Sequence, residues 1–220
     1  MSSMYETIME LPLFKGIGEE QLSQMLEKTS VEFLKFEDGE TIVNPEEKVK
    51  SVDFILNGRI RQTYKLQNFD LCIDEILGKG AVIGALNLYG LETTYNAVSM
   101  ALGRVSIMRI SKNDYMNILL SDKIYILNFV NYLSAAAQKV PLFMQKVKNP
   151  SIVRSLNILA YTFASKTAET VMVAGDDKVL AQYCGVTEKE FEDWKISELS
   201  HNRIIANQRG IFLKSPHLLR

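Results

Sequence analysis

Side chains that commonly carry catalysis or bind metal ions are scarce in this sequence. Cys72 and Cys184 lie far apart and belong to no C-x-x-C pair, and His201 and His217 are the only histidines. The sequence also lacks G-x-x-x-x-G-K-[ST], H-E-x-x-H and G-x-S-x-G, which bind phosphates, bind zinc and form a serine nucleophile. We therefore expect no enzyme, no metal site and two buried structural thiols. The alternative role for the thiols, redox sensing, requires an exposed cysteine of low pKa.

Charged side chains near the C terminus have the chemistry to bind phosphate groups. The candidate contacts are five cations and two neutral donors: Lys189, Lys195, Arg203, Arg209, Lys214, Thr187 and Asn202. Four carboxylates share this stretch and would repel a polyanion: Glu188, Glu190, Glu192 and Asp193. The formal net charge of the chain is −1, so composition alone does not indicate a nucleic-acid partner.

The spacing around these charges predicts two short helices joined by a glycine turn. Asp176 or Asp177 can cap the first helix, and Gly185 ends it. Thr187 and Glu190 have the spacing of a capping box at the start of the second helix, in which we expect Phe191, Trp194 and Leu199 to be buried. Two short strands around Gly210, in "NRIIANQRGIFLK", follow as a wing. Helix, turn, capped helix and wing are the order of a winged helix-turn-helix.

The N-terminal part alternates between short apolar runs and glycine-containing turns. The strand-length runs are "VEFLKF", "DGETIV", "SVDFILNGRIRQTYKL", "LCIDEIL", "NAVSMA" and "RVSIMRI". Asn57 and Gly58 are the strongest hairpin signal among them. Strands at this spacing predict a closed antiparallel β-roll, preceded by an amphipathic helix that buries Leu22, Met25 and Leu26.

A long helix is predicted from about residue 122 to residue 146, after a shorter helix that Ser111 caps. Its apolar residues recur at heptad spacing: Ile126, Val130, Leu133, Ala137, Val140 and Met144. This seam favours a dimer interface over an ordinary buried helix, and a second apolar set, Ile124, Leu127 and Ala135, would face the β-roll. Pro141 predicts a bend. A further helix, with Pro150 in its first turn, would bury Ile152, Leu156, Leu159 and Phe163.

This order of elements resembles the Crp/Fnr family of bacterial transcription regulators over nearly the whole chain. "DDKVLAQYCGVTEKEF" is similar to the family pattern T-x-x-x-L-A-x-x-x-G-x-S-R-E-T-V, "FILNGRIR" to its hairpin ending in glycine, and "GKGAVIGALNLYGLETTYNAV" to its ligand-binding cassette. The resemblance implies an α+β fold with an antiparallel jelly-roll β-roll like that of cyclic-nucleotide-binding domains, a long dimerisation helix and a C-terminal winged helix. It implies an effector domain at residues 1–148 and a DNA-binding domain at residues 149–220.

The cassette departs from the cyclic-nucleotide-binding members of that family. They have a Gly-Glu pair that binds the ribose and a later Arg that pairs with the cyclic phosphate, whereas this sequence has Gly84-Ala85 and, at the later position, Tyr95, Asn96 and Ala97. Without a cation the phosphate loses its charge-assisted hydrogen bonds, so we expect no binding of cyclic AMP in the usual way. The resemblance gives these candidate ligand residues: Gly84, Ala85, Leu86, Asn87, Tyr95, Asn96, Asn128 and Asn131. The effector is unknown, and a β-roll that binds none is equally consistent with these residues.

The second predicted helix also departs from the family, which uses two arginines and a glutamate for a typical half-site. The corresponding residues here are Glu188, Lys189 and Asp193. We expect a homodimeric DNA-binding regulator that reads a palindromic site differently, with RNA polymerase as a further candidate partner. The alternative is a winged-helix module that binds protein instead of DNA. The absence of a leader and of a long apolar run predicts a cytoplasmic protein that does not span a membrane.

Overall fold

The computed structural model describes residues 4–66, 70–138, 151–164 and 168–213. The helices of this part of the chain are α1 (Met4–Met9), α2 (Glu19–Lys28), α3 (Lys112–Ser121), α4 (Lys123–Ala137), α5 (Ile152–Phe163), α6 (Asp177–Cys184) and α7 (Glu188–Ser200). Its strands are β1 (Val31–Phe36), β2 (Thr41–Val43), β3 (Ser51–Leu66), β4 (Leu71–Leu77), β5 (Val82–Ile83), β6 (Val98–Ser111), β7 (Ala168–Ala174), β8 (Ile204–Asn207) and β9 (Gly210–Leu213). Two 3-10 turns lie at Pro12–Phe14 and Ala85–Asn87.

The chain forms two compact units. The first comprises Met1–Ile60 and Gly78–Ala137, and the second comprises Arg61–Leu77 and Gln138–Arg220. The hairpin arm, as we call Arg61–Leu77, therefore belongs with the C-terminal unit, a grouping that the division at residue 148 did not include. That division remains a prediction for the functional domains.

The first unit is an antiparallel β-structure covered by helices. Strand β6 pairs with β1, from Val31 opposite Ile110 to Phe36 opposite Val105, and also pairs with β2. Strand β3 lies beside β6 and carries β5 on its other side. The alternation of apolar and polar residues that predicted these strands places one face of the sheet under the helices.

Gly58 does not form the predicted hairpin. Strand β3 runs without interruption through Gly58, whose φ is +89°. A Cβ atom at Gly58 would lie 2.3 Å from the carbonyl oxygen of Arg104 and 2.9 Å from the Cα of Val105. The glycine is therefore required by the close approach of β6, and not by a turn. The two separate strands predicted in "NAVSMA" and "RVSIMRI" are likewise one strand, β6, which continues through Gly103 at φ +72°.

Aromatic side chains join the helices of the first unit to its sheet. Phe14 contacts Phe54 at 5.2 Å between ring centroids and Tyr125 at 6.1 Å, and Phe129 contacts Tyr115 at 5.7 Å. All five rings are buried. Such pairs add about 0.5–1.5 kcal/mol each beyond the area that they bury.

The helices that surround this core largely follow the prediction. Leu22 and Met25 of α2 are buried and Leu26 packs beside them, as expected. The Ser111 hydroxyl accepts a hydrogen bond from the Asp114 backbone N–H at 3.1 Å, which confirms the predicted cap of α3. Helix α1, with Ile8 buried, precedes the first predicted helix and was missed.

Helix α4 presents two different apolar faces. Tyr125 and Phe129 point into the core, whereas Ile126 and Val130 of the predicted seam are 42% and 48% exposed. Leu127 is also exposed, so its predicted contact with the β-roll is wrong, because Tyr125 and Phe129 occupy the inward positions. Of the other seam residues, Leu133 packs partly against the core and Ala137 is exposed, while Val140 and Met144 lie outside the described residues, as does Pro141.

The second unit has its own apolar core, built on the strand order β4–β7–β9–β8. Helix α5 begins after Ser151, whose hydroxyl caps it by accepting from Arg154 N–H, and it buries Leu156 and Leu159 as predicted. Strand β7 was missed in the sequence, and it pairs with the arm from Cys72 opposite Ala174 to Leu77 opposite Ala168. The arm thus extends the sheet of the second unit.

Candidate functional site

The predicted helix–turn–helix elements are present and capped in the second unit. The Asp176 carboxylate accepts a hydrogen bond from Val179 N–H at 2.8 Å and begins α6, and Gly185 ends it in the left-handed conformation at φ +71°. The Thr187 hydroxyl accepts from Glu190 N–H at 3.2 Å, and Glu190 accepts from Thr187 N–H at 2.8 Å. This confirms the capping box of α7. The hydrogen bonds from Thr187 hold the pKa of Glu190 below its usual value.

The inward face of α7 differs from the prediction in its last turn. Phe191 is fully buried and contacts the half-buried Trp194 at 5.3 Å, as expected. Leu199, however, is 37% exposed, and Glu198 is buried in its place. The prediction was wrong because Glu198, and not Leu199, lies seven residues after Phe191. Seven residues are two helical turns, so Glu198 shares the inward face of α7 with Phe191. Its carboxylate accepts from Arg203 Nη1 at 3.2 Å, which satisfies the buried charge.

Ion pairs engage most of the cations that were predicted to contact DNA. Lys195 pairs with Asp177 across α6 and α7, Arg203 with Glu198, and Arg209 Nη2 with Asp74 Oδ2 at 3.2 Å. Lys189 is exposed on α7, and Lys214 lies outside the described residues. The neutral candidates are also committed to local structure: Thr187 caps α7, and Asn202 takes a left-handed φ of +55° just after it.

The exposed face of α7 is acidic with an aliphatic centre. The exposed carboxylates are Glu188, Glu192 and Asp193. Ile196 is 58% exposed and Leu199 lies one turn further on. Ile205, on β8 of the same unit, is half exposed. Such exposed aliphatic side chains are more typical of a protein interface than of a surface that binds phosphates.

The buried carboxylates of the arm accept hydrogen bonds from side chains of the second unit. Asp74 accepts from the Thr63 hydroxyl at 2.7 Å as well as from Arg209, and Glu75 accepts from the Tyr64 hydroxyl at 3.0 Å. Both carboxylates are almost wholly buried. Cys72 is only half-buried, contrary to the prediction, and burial followed by the charge of Asp74 raises the pKa of its thiol. A raised pKa disfavours the redox-sensing alternative.

Only part of the predicted ligand set comes together in the first unit. Gly84 adopts φ +85°, and a Cβ atom there would lie 2.7 Å from the Ser51 carbonyl oxygen and 3.4 Å from Cε1 of Tyr95. Ala85 is buried beside this turn. The remaining candidates do not converge on it: Leu86, Asn96 and Asn131 are exposed, the Asn87 side chain donates to the Glu92 carbonyl, and Asn128 donates to the Lys15 carbonyl at 2.8 Å.

A buried ion pair that was not predicted lies beside Tyr95. Arg109 Nε donates to Asp53 Oδ1 at 2.8 Å and Arg109 Nη2 donates to Oδ2 at 2.6 Å. Asp53 is fully buried and also accepts from the Ser51 hydroxyl at 3.0 Å. Burial, and then the charge of Asp53, raises the pKa of the Tyr95 phenol. The signal in the sequence was a charged residue with apolar neighbours in each strand, Asp53 in "VDFIL" and Arg109 in "IMRI".

Comparison with known proteins finds a family resemblance in the N-terminal half of the chain. Residues 33–122, which include the arm, match the family model "Cyclic nucleotide-binding domain". This part of the chain is similar to such domains. The matched range includes Asp53, Tyr95 and Arg109 but neither Asn128 nor Asn131. No curated protein matched the chain.

Two solved structures show that the fold likeness extends beyond residues 33–122. Thermus thermophilus catabolite activator protein has a TM-score of 0.54 at 14% identity, with 94% of this chain and 96% of that chain covered. The regulator CLP of Xanthomonas campestris, described as responsive to c-di-GMP, has a TM-score of 0.50 at 12% identity, with coverages of 90% and 100%. At such identities the likeness shows the fold alone.

The described residues contain neither a membrane-spanning helix nor a cluster of metal ligands. No helix there is long and apolar enough to cross a bilayer. Within the same residues, no three His, Cys, Asp or Glu side chains are grouped so that they could hold a metal ion.

Proposed function

We propose that the protein is a homodimeric, cytoplasmic, non-catalytic transcription regulator of the Crp/Fnr type. Its β-roll responds to an effector other than cyclic AMP, and its C-terminal winged helix binds a palindromic DNA site. The observation that carries the proposal is the capped pair α6 and α7, followed by the β8–β9 hairpin, in a chain whose fold resembles catabolite activator protein over nearly its whole length.

The exposed face of α4 supports the proposed dimer. Ile126, Leu127 and Val130 leave a contiguous aliphatic stripe uncovered, although Tyr125 and Phe129 already fill the inward side of the same helix. A stripe of this kind is stabilised when a second copy covers it, because apolar surface is removed from water. Val140 and Met144, which lie outside the described residues, belong to the same predicted heptad seam.

Contacts to DNA would come mainly from side chains that flank the acidic part of α7. Lys189 stands in its first turn, and the side chains of Arg203 and Arg209 are 63% and 58% exposed in spite of their ion pairs. Glu198 and Asp74 are buried, but the guanidinium ends of both pairs are solvated, so a phosphate can compete with the carboxylate for the guanidinium. Two chains double these contacts and match the symmetry of a palindrome. RNA polymerase is a further proposed partner.

A second candidate function is a winged-helix module that binds a basic protein. It is favoured by Glu192 and Asp193 beside the exposed Ile196 and Leu199, and by the three ion pairs that occupy predicted DNA contacts. In this case Lys189 would be a solvated surface charge.

Substitutions of α7 separate the two candidates. With a random-sequence duplex as probe, the double variant Glu192→Lys and Asp193→Lys should bind more tightly if α7 faces DNA, because two repulsive charges become attractive. Lys189→Ala should reduce the slope of log K against log salt by about 1.8 in a dimer, while Lys35→Ala, an exposed charge on β1, should leave it unchanged. If neither substitution alters binding to the duplex, the protein-binding candidate replaces the DNA-binding one.

A further inference from the structure

The ion pair of Asp53 and Arg109 lies inside the β-structure of the first unit. Asp53 lies on β3 and Arg109 on β6, and the guanidinium uses Nε and Nη2 to donate to both carboxylate oxygens. This two-pronged geometry is also how an arginine holds a carboxylate or phosphate ligand. Asp53 is fully buried, whereas the Arg109 side chain is 27% exposed.

Gly84 and Tyr95 of the predicted ligand cassette lie directly beside this ion pair. Tyr95 packs against Gly84, and the Ser51 hydroxyl interacts with the Tyr95 phenol while donating to Asp53. Tyr95 is further fixed through its backbone, since its N–H donates to the Glu47 carbonyl at 2.9 Å. The donors that point at Asp53, which are Nε and Nη2 of Arg109 and the Ser51 hydroxyl, are therefore already occupied by a carboxylate of the chain.

The charge balance around Arg109 leaves nothing for a second anion. Asp53 is in direct contact with Arg109 and balances its charge, and the exposed Glu32 stands opposite Arg109 in the β1–β6 ladder as a second, solvated carboxylate. An anionic ligand at Tyr95 would lie beside a fully buried negative charge, where repulsion is screened least.

We propose that Asp53 is a built-in anionic ligand of this domain, which takes the place that a bound carboxylate or phosphate would otherwise fill between β3, β6 and the cassette. The domain is then held in one state without an anionic nucleotide, and a signal reaches it through an uncharged molecule or not at all. This inference rests on the proposed role of the β-roll as an effector domain, and it is independent of DNA binding.

Removal of the internal carboxylate should create a site for an external one. Asp53→Ala leaves the Arg109 fork and the Ser51 hydroxyl unpaired around a cavity of carboxylate size. Formate, at ten times its dissociation constant, should raise the Tm of this variant by about 3 °C or more relative to chloride at equal ionic strength. The wild type should not respond. Glu37→Ala, which removes the carboxylate of an ion pair with Arg104 in which both side chains are largely exposed, should not respond either.

Calorimetry on the wild-type protein provides a second test that needs no variant to fold. We expect no heat of binding from cyclic AMP or inorganic phosphate at millimolar concentration. Binding of either anion to the wild type would overturn the inference, as would a folded Asp53→Ala protein that formate does not stabilise. Formate rescue in a protein that fails to bind DNA would retain the inference and reject the proposed function.

Discussion

Substitution of Asp74 by Asn should strengthen DNA binding. Asp74 is buried, but it holds Arg209 through one contact at 3.2 Å and the Arg209 side chain is 58% exposed, so solvent screens the guanidinium end of the pair. We therefore take the range for exposed pairs, about 0.2–1 kcal/mol, as the competition that Asp74 offers to a phosphate. Loss of this competition in both protomers of a dimer should strengthen DNA binding by about 0.4–2 kcal/mol. This corresponds to roughly a 2- to 30-fold decrease in Kd. Asn retains an oxygen that accepts the hydrogen bond from Thr63, which keeps the arm intact.

The assay is fluorescence anisotropy of a labelled random-sequence duplex across a salt series. Two additional phosphate contacts per dimer should also steepen the slope of log K against log salt by about 1.8. Asp70→Asn makes the same change of charge at an exposed position of the arm and is the matched control. Equal tightening by both variants would show that net charge alone acts, and weaker binding by Asp74→Asn would refute a role for Arg209 at the phosphates.

Three further predictions concern the fold that supports these sites. Gly58→Ala should lower the free energy of unfolding in urea by about 3 kcal/mol or more, through strain and a backbone clash, whereas Gly39→Ala, at φ +80° with open space around it, should cost only about 1–2 kcal/mol. The folded state holds the pKa of Glu190 below its usual value of 4.5, so the ionised Glu190 stabilises the fold above pH 4.5. This stabilisation is lost as the pH falls below that value. Glu190→Gln lacks it at every pH, so the Tm of this variant should fall less steeply in acid than that of the wild type. Burial raises the pKa of Cys184 to about 12, so a disulfide reagent at pH 8 should label the half-buried Cys72 first, and labelling of Cys184 first would contradict its burial.

The local signals in the sequence predicted helix ends better than they predicted strand continuity. The capping box of Thr187 and the caps at Ser111 and Asp176 depend on residues three positions apart, and all three are present. Asn57 and Gly58 also carry a local signal, that of a hairpin turn. In the structure, however, Gly58 is required because a Cβ atom there would clash with the carbonyl oxygen of Arg104, which is distant in the sequence. Local chemistry cannot distinguish a turn from a close approach of another strand.

The candidate sites were harder to predict because their character depends on pairing between distant residues. Arg209 is a plausible phosphate contact by sequence, and only the fold brings it to Asp74, 135 positions away. Asp53 and Arg109 are separated by 56 positions and meet only when β3 lies beside β6. The exposed face of α7 could be predicted only from the exact register of the helix, because that register buries Glu198 and exposes Leu199.

Binding of the purified protein to duplex DNA at a series of salt concentrations tests the proposed function most directly. The probes are a random-sequence duplex and fragments from the genomic neighbourhood of the gene. We expect one fragment to be retained at physiological salt, with an affinity that falls steeply as salt rises. No retention of any fragment at low salt, with or without cell extract as a source of effector, would contradict the DNA-binding regulator and favour the protein-binding module.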